Sequence, residues 1–501
     1  MQLTNSTPYS FRASTINEKL IVFILFALFI ARMLSLPALH LALYYDEAYY
    51  HFWALSPAFG YYSKPPVVAW LIALTTGLFG HTPEWSVRIS APLLYAGAAY
   101  FVYRMGCELS SKATGLLAAL IFYSSPLVTF NSLFITTDAP LLFFWALAGW
   151  LFLKALYSNR LIWWILCGLA SGMGLMSKYT MIVIFIGAAI YLIFQKERRV
   201  SLLGVSIATG LIVLLYLPNL IWNSQHDFIS FVHTAHISHL SHRLFHPGKF
   251  FGFLGGQFLV FGPVAMWLWL KYVWKKRRDH VWLFLLSISL PLFVLMCIQA
   301  FLAKANANWA APVYLGASLM VALILIQQNS MKLASWVVGV NIMLAVILFS
   351  YPTIQKILHI EPTRHNTPYA RVLGWREVME NIKREYPQVS HMVLLSGSRK
   401  LLSYGNYYLS QWKSGRSVPV VSFNPGKRIE DQYDLLYDLS HSKFKHFLFI
   451  SEGPRNFKGC FKSSRLLGKV VGPVYPTLKR VVYLYQVSGF NGYEYCHKTY
   501  Q

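Results

Sequence analysis

Runs of about twenty apolar residues recur along the first two thirds of this 501-residue chain, each long enough to cross a bilayer as a helix. A backbone in lipid must satisfy its own hydrogen bonds, so such runs leave helix as the working choice. Only 13% of the residues are charged, against about a quarter in soluble proteins. Counting apolar windows predicts about eleven transmembrane helices within residues 1–352. The first run, 20–39, is too long for a signal-peptide core and lacks a small-residue cleavage site, so it is expected to be a retained anchor.

The net charge of +25 invites a nucleic-acid reading, but the distribution opposes it. Much of the excess sits in short clusters between apolar runs: Lys196, Arg198 and Arg199, then Lys275, Lys276, Arg277 and Arg278. That is the bias of cytoplasmic loops. It puts the N-terminus inside and, with an odd number of spans, residues 353–501 outside, in the periplasm of a bacterial inner membrane. There the pattern changes to short β-type runs (391–395, 418–423, 446–450, 481–487) with a helical stretch at 431–439, predicting a small α/β extramembrane domain. Its own excess of 12 positive charges suits an anionic acceptor or membrane lipid headgroups, and simple solubility explains it as well. Cys460 and Cys496 both lie in this part and can pair in an oxidising compartment.

Ionisable groups near a bilayer are costly, so those retained are functional candidates. Residues 1–352 hold nine carboxylates. Four lie beside basic clusters on the expected cytoplasmic side. The other five, Asp46, Glu47, Glu84, Asp138 and Asp227, all map to the outer face. Asp46 and Glu47 stand in an aromatic stretch of the first outer loop, about 40–85; they suit a helix N-cap with an acidic first turn, or a general base. Asp138 begins a span and is open to the same two roles. Lys64 follows Tyr61, Tyr62 and Ser63 and precedes two prolines that stiffen its backbone, so its ammonium would be held where a phosphate could sit; Tyr62 is a further site candidate. Lys178 is the second such cation, and either lysine could instead snorkel to headgroups. The apolar stretch 66–79 is short for a crossing and is expected to be interfacial or re-entrant. His226 adjoins Asp227, and His233, His236, His239 and His242 follow at every third residue. That spacing drifts around a helix, which suits a wet loop better than a metal site.

Taken in order, Asp46-Glu47-Ala48-Tyr49-Tyr50, Gly60-Tyr61-Tyr62-Ser63-Lys64-Pro65-Pro66, Thr136-Thr137-Asp138-Ala139-Pro140, Ser177-Lys178-Tyr179, Asn219 to His226, and Ala307-Asn308-Trp309 resemble the dolichyl-phosphate-mannose–protein mannosyltransferase-like glycosyltransferases of the GT-C superfamily. Bacterial lipid A aminoarabinose transferases are relatives of these. The resemblance implies a GT-C fold and inverting transfer of a sugar from a polyprenyl-phosphate donor to a lipid, glycan or protein acceptor. It maps the catalytic carboxylate onto Asp46, with Glu47 beside it, and the donor-phosphate contact onto Lys64, with Lys178 second. In the aminoarabinose branch a metal-binding glutamate precedes that lysine. Ser63 stands there in this chain, so a divalent metal ion and that particular sugar are both left open. No Gly-rich nucleotide motif is present. The rival class is a polytopic transporter or flippase, which would tend to show two similar halves, and none is visible.

Overall fold

An apolar run that meets no water closes its hydrogen bonds within itself, and the computed structural model is helical along these runs. It describes residues 17–80, 83–195, 200–237, 245–274, 279–363, 366–389, 392–409, 418–475 and 478–496. The basic clusters at 196–199 and 275–278, with His239 and His242, lie outside these residues. Two compact units form: Met1–Ser35 with Ala91–Phe349, and Leu36–Ser90 with Ser350–Gln501.

Among the described residues, five helices are long and apolar enough to cross a membrane: Glu18–Ala38, Asp138–Ser158, Leu202–Ser224, His280–Leu302 and Met331–Ile357. Pro247–Phe261 and Pro263–Tyr272 make a sixth if taken as one span bent by 114°. The bend falls on Gly262, whose φ of 99° suits glycine, and on Pro263, which has no N–H to carry the helix through. Others of the eleven expected spans fall on shorter apolar helices, Lys112–Ser124, Leu161–Leu175 and Val313–Gln327 among them. Several apolar runs are cut short by local chemistry: Ser125 and Pro126, for example, end Lys112–Ser124 and start a new turn.

Within the first unit, Val313–Gln327 is buried over nearly its whole length and packs on Lys112–Ser124 and His280–Leu302. Leu161–Leu175 packs against both Asp138–Ser158 and Leu202–Ser224. Gly168 permits that approach, since a Cβ there would lie 2.7 Å from the Ala208 carbonyl oxygen. Small residues serve this purpose where lipid removes the hydrophobic drive between helices. Outward-facing Phe23, Phe26, Leu34, Ile193 and Leu214 are exposed, an apolar surface that lipid would cover.

The second unit joins the first loop to the C-terminal residues. Its sheet has five strands, β1 (Val393–Ser396), β2 (Val420–Ser422), β3 (His446–Ser451), β4 (Phe461–Tyr475) and β5 (Leu478–Phe490), in the order β2-β1-β3-β5-β4. β1 pairs in parallel with β2 and β3, while β5 runs antiparallel to β3 and β4. The helix Trp375–Glu385 buries Trp375, Val378, Met379 and Ile382, the spacing of one helical face. Ser398, at the end of the turn after β1, caps the helix Arg399–Tyr408 by accepting from the Leu401 N–H. Short helices Tyr45–Ala54, Val67–Phe79 and Glu84–Arg88 come from the first loop, and Tyr45–Ala54 packs on Arg399–Tyr408.

Cys460 and Cys496 form a disulfide with their Cα atoms 4.4 Å apart, beside Phe457, Phe461 and Tyr493 in the core of the sheet. Closing a loop of 36 residues is worth roughly 3–4 kcal/mol in the chain-entropy model. Protein isolated without reductant should resist alkylation at both positions, and Cys460→Ser should lower the unfolding temperature of this unit. Alkylation of both thiols before reduction would contradict the pairing.

Candidate functional site

In the second unit, two neighbouring acids lead different lives. Glu47 is the third residue of the helix Tyr45–Ala54, and its carboxylate accepts from the Tyr44 N–H at 2.8 Å, half of a capping box. The same carboxylate receives Arg88 through Nε at 3.0 Å and Nη2 at 2.7 Å. Arg88 gives its remaining reach to the carbonyls of Leu41 and Ala42, each at 2.8 Å. Glu47 is fully buried and Arg88 nearly so. A pair so enclosed is tolerable only because its hydrogen bonds are filled.

Asp46 keeps 28% of its side-chain surface exposed. Its Oδ1 accepts from Arg399 Nη2 at 3.3 Å, and the Arg399 guanidinium lies 5.3 Å from the Tyr45 ring centre and 5.0 Å from that of Tyr49. Burial pushes the Asp46 carboxyl above the ordinary carboxylate range; Arg399, then Lys64, pull it back, Glu47 raises it and Arg371 lowers it.

Lys64 sits in a turn whose carbonyl accepts from the Tyr61 N–H, between buried Ser63 and Pro65. The loop is fastened to the C-terminal residues. The Tyr62 N–H donates to Gln432 Oε1 at 2.6 Å, the Tyr62 hydroxyl donates to the Ile429 carbonyl, and the Gln432 N–H donates to the Tyr49 hydroxyl. Trp53 stacks on Tyr61, and Phe52 packs on Tyr433. Asp431 caps the next short helix by accepting from the Tyr433 and Asp434 N–H groups. Burial, then Asp434, push its carboxyl up to about 7.

In the first unit, Asp138 is the first residue of its helix, and Thr137 occupies the cap position. The Asp138 carboxylate receives Lys178 Nζ at 2.6 Å and Asn308 Nδ2 at 2.7 Å, so three separated motifs meet there. His226 stacks on Trp222, and its Nδ1 lies 2.8 Å from the Trp222 carbonyl oxygen. Among the described residues no three His, Cys, Asp or Glu side chains come together as a metal site. Ser63 offers one neutral hydroxyl, which makes a poor substitute for a carboxylate ligand. No chemical step is therefore routed through a metal here.

Arg88, Arg371 and Arg399 were not singled out by sequence, and Asn308 appeared only inside a motif. Asn308 was the recoverable one, since it stands in the Ala-Asn-Trp motif. Arg399 looks like any other basic residue of a basic tail.

The family described as dolichyl-phosphate-mannose-protein mannosyltransferase matches residues 63–222. The lipid A galacturonosyltransferase RgtD of Rhizobium johnstonii is 27% identical over 413 residues, 81% of this chain and 85% of that protein. An undecaprenyl phosphate-alpha-4-amino-4-deoxy-L-arabinose arabinosyl transferase of Pseudomonas fluorescens is 24% identical over 346 residues, covering 63% of this chain and 60% of its own length. Among solved structures, ArnT from Cupriavidus metallidurans bound to undecaprenyl phosphate aligns over 93% of this chain and 97% of its own, with a TM-score of 0.61 at 14% identity. The two chains share a fold.

Glu47→Gln should leave Arg88 buried beside a neutral group. Breaking a buried pair costs about 3–5 kcal/mol, so this variant should melt well below wild type or be lost from size-exclusion profiles, while Asp46→Asn should melt near wild type. Asp431 gives a pH test. Its folded-state pKa is raised, so its stabilising contribution is complete below the unfolded value of about 4 and is lost as pH rises through about 7. Asp431→Asn keeps the cap; it should melt above wild type at pH 8 and match it at pH 4.

Proposed function

We propose that this chain, which resembles the dolichyl-phosphate-mannose–protein mannosyltransferase-like glycosyltransferases of GT-C type, uses Asp46 as general base to transfer a sugar from a polyprenyl phosphate to an acceptor in the cell envelope. Undecaprenyl phosphate, named in one relative and bound in the fold-sharing ArnT, is the carrier this supports. A lipid A saccharide is the acceptor class suggested by the relative covering most of this chain. The observation that carries the assignment is the contrast between the two acids: Glu47 is consumed by Arg88, while Asp46 stays partly exposed among cations.

In this mechanism an acceptor hydroxyl oxygen attacks the anomeric carbon from the face opposite the phosphate. The carbon–oxygen bond to phosphate breaks, polyprenyl phosphate leaves, and Asp46 takes the hydroxyl proton. The configuration inverts. Lys64, held by its proline-stiffened turn, stabilises the charge growing on the phosphate oxygens. Lys178 is the second cation assigned to that phosphate. Its ammonium is also paired with Asp138. Tyr62, Asp138 and His226 stay as supporting candidates, Tyr62 by holding the loop to Gln432.

The reading places residues 1–352 as the membrane-embedded catalytic part, with about eleven crossings once the short apolar helices are counted. Residues 353–501 form an α/β domain in the periplasm, and the N-terminus is cytoplasmic, in a bacterial inner membrane. Because the loop bearing Asp46 belongs to one compact unit with the C-terminal residues, both should lie on one side. The charge bias makes that the outer side.

Transfer from a purified undecaprenyl-phosphate sugar to extracted envelope lipid, read by mass spectrometry, tests the mechanism. General-base catalysis is typically worth about 10²–10⁴-fold, so Asp46→Asn should slow turnover by that order. Lys64→Ala should weaken donor use. Near-normal transfer by Asp46→Asn would remove the base assignment. A periplasm-dependent reporter fused after Gln501 should be active, and activity of a cytoplasm-only reporter would reverse the topology.

A further inference from the structure

One cation bonded to Asp46 does not come from its own loop. It comes from Arg399, the first residue of the helix that leaves β1, 353 residues away in sequence. Three features mark it as more than a surface pair. The guanidinium lies over Tyr45 and Tyr49, which restricts its motion and favours a delocalised cation. Ser398 caps the helix behind it, which fixes where the side chain starts. Both partners are about two-thirds buried, so water screens them less than an exposed pair.

We propose that Arg399 is a positioning residue for the transferase, a cation supplied by the C-terminal sheet that holds the Asp46 carboxylate charged and in place. The inference rests on Asp46 being the base. The groups facing Asp46 are Arg399 from its helix, Lys64 from the first-loop turn, Arg371 from the segment before Trp375, Glu47 from its own helix and Tyr44 at that helix's cap. Glu47 is held by Arg88 and Lys64 is assigned to the donor phosphate. Arg399 is thus the hydrogen-bonded cation the base keeps while Lys64 serves the phosphate, with Arg371 a smaller influence. Burial favours the protonated carboxyl, and Arg399 is the largest influence opposing it. A protonated Asp46 cannot accept the hydroxyl proton, so losing Arg399 should narrow the range over which the base works to higher pH.

The experiment uses full-length protein in nanodiscs with an undecaprenyl-phosphate sugar donor. The pH profile of kcat/KM is measured together with an infrared titration of the carboxyl band that Asp46→Asn removes. Arg399→Gln should move the acid limb and the infrared titration up by about 1–2 pH units, the usual effect of one adjacent opposite charge. At pH below the acid limb transfer should fall about 10- to 100-fold, the same shift expressed as rate, and recover on raising the pH. Arg399→Lys, which keeps the charge and loses the stacking, should shift both readouts less than Arg399→Gln. If Arg399→Gln folds poorly, Tyr45→Leu, which removes one ring under the guanidinium, should shift both readouts in the same direction by less. An unmoved infrared titration, or a lost rate that no pH restores, would overturn the proposal. Near-normal transfer by Asp46→Asn would overturn the base assignment itself, whatever Arg399 does.

Discussion

The buried pair between Glu47 and Arg88 is the interaction on which the rest of the candidate site depends. It joins the start of the helix Tyr45–Ala54 to the end of the helix Glu84–Arg88, and Arg88 also gathers the carbonyls of Leu41 and Ala42. The approach to the helix is thereby fixed at three points. Successive helical residues are turned by about 100°. With Glu47 directed into the protein, Asp46 must point elsewhere, and it meets Arg399 on a partly exposed face. One acid is sacrificed to geometry so that its neighbour has a defined position.

Aromatic packing then carries that position to the sheet. Tyr49 and Phe52, one helical turn apart on the helix of Asp46, meet Tyr433. The backbone of Gln432 bonds the Tyr49 hydroxyl, and its side chain holds the backbone of Tyr62. Rings contribute large buried area with few rotatable bonds, so they hold a loop with little entropic cost. The turn bearing Lys64 and the helix bearing Asp46 are in this way fastened to the same segment of the C-terminal part.

Much of the architecture was legible because it is written locally. Apolar runs and the β-type stretches near 393, 420, 447 and 484 each depend on neighbours within a few residues. Apolar content does not show where a run is broken, as at Ser125-Pro126 or Gly262-Pro263. For the site, the sparse carboxylates of an apolar chain stood out on cost alone, and Asp138 with Lys178 did turn out to meet. By local pattern alone Asp46 and Glu47 could not be told apart, because both fit the first turn of a helix; only the family resemblance favoured Asp46.

The sequence by itself determined that the chain is helical and lipid-compatible, where its helices start, and which few acids and lysines deserved attention. Those follow from solvation and from short-range periodicity. Only the tertiary structure decided that Glu47 belongs to Arg88, 41 residues on, and Asp46 to Arg399, 353 residues on. It also decided that the first loop shares a compact unit with the C-terminal sheet. Ion pairs and ring contacts at such separations leave no period in the chain. They arise only when packing brings two unrelated surfaces together and burial makes each unpaired charge too costly to leave alone.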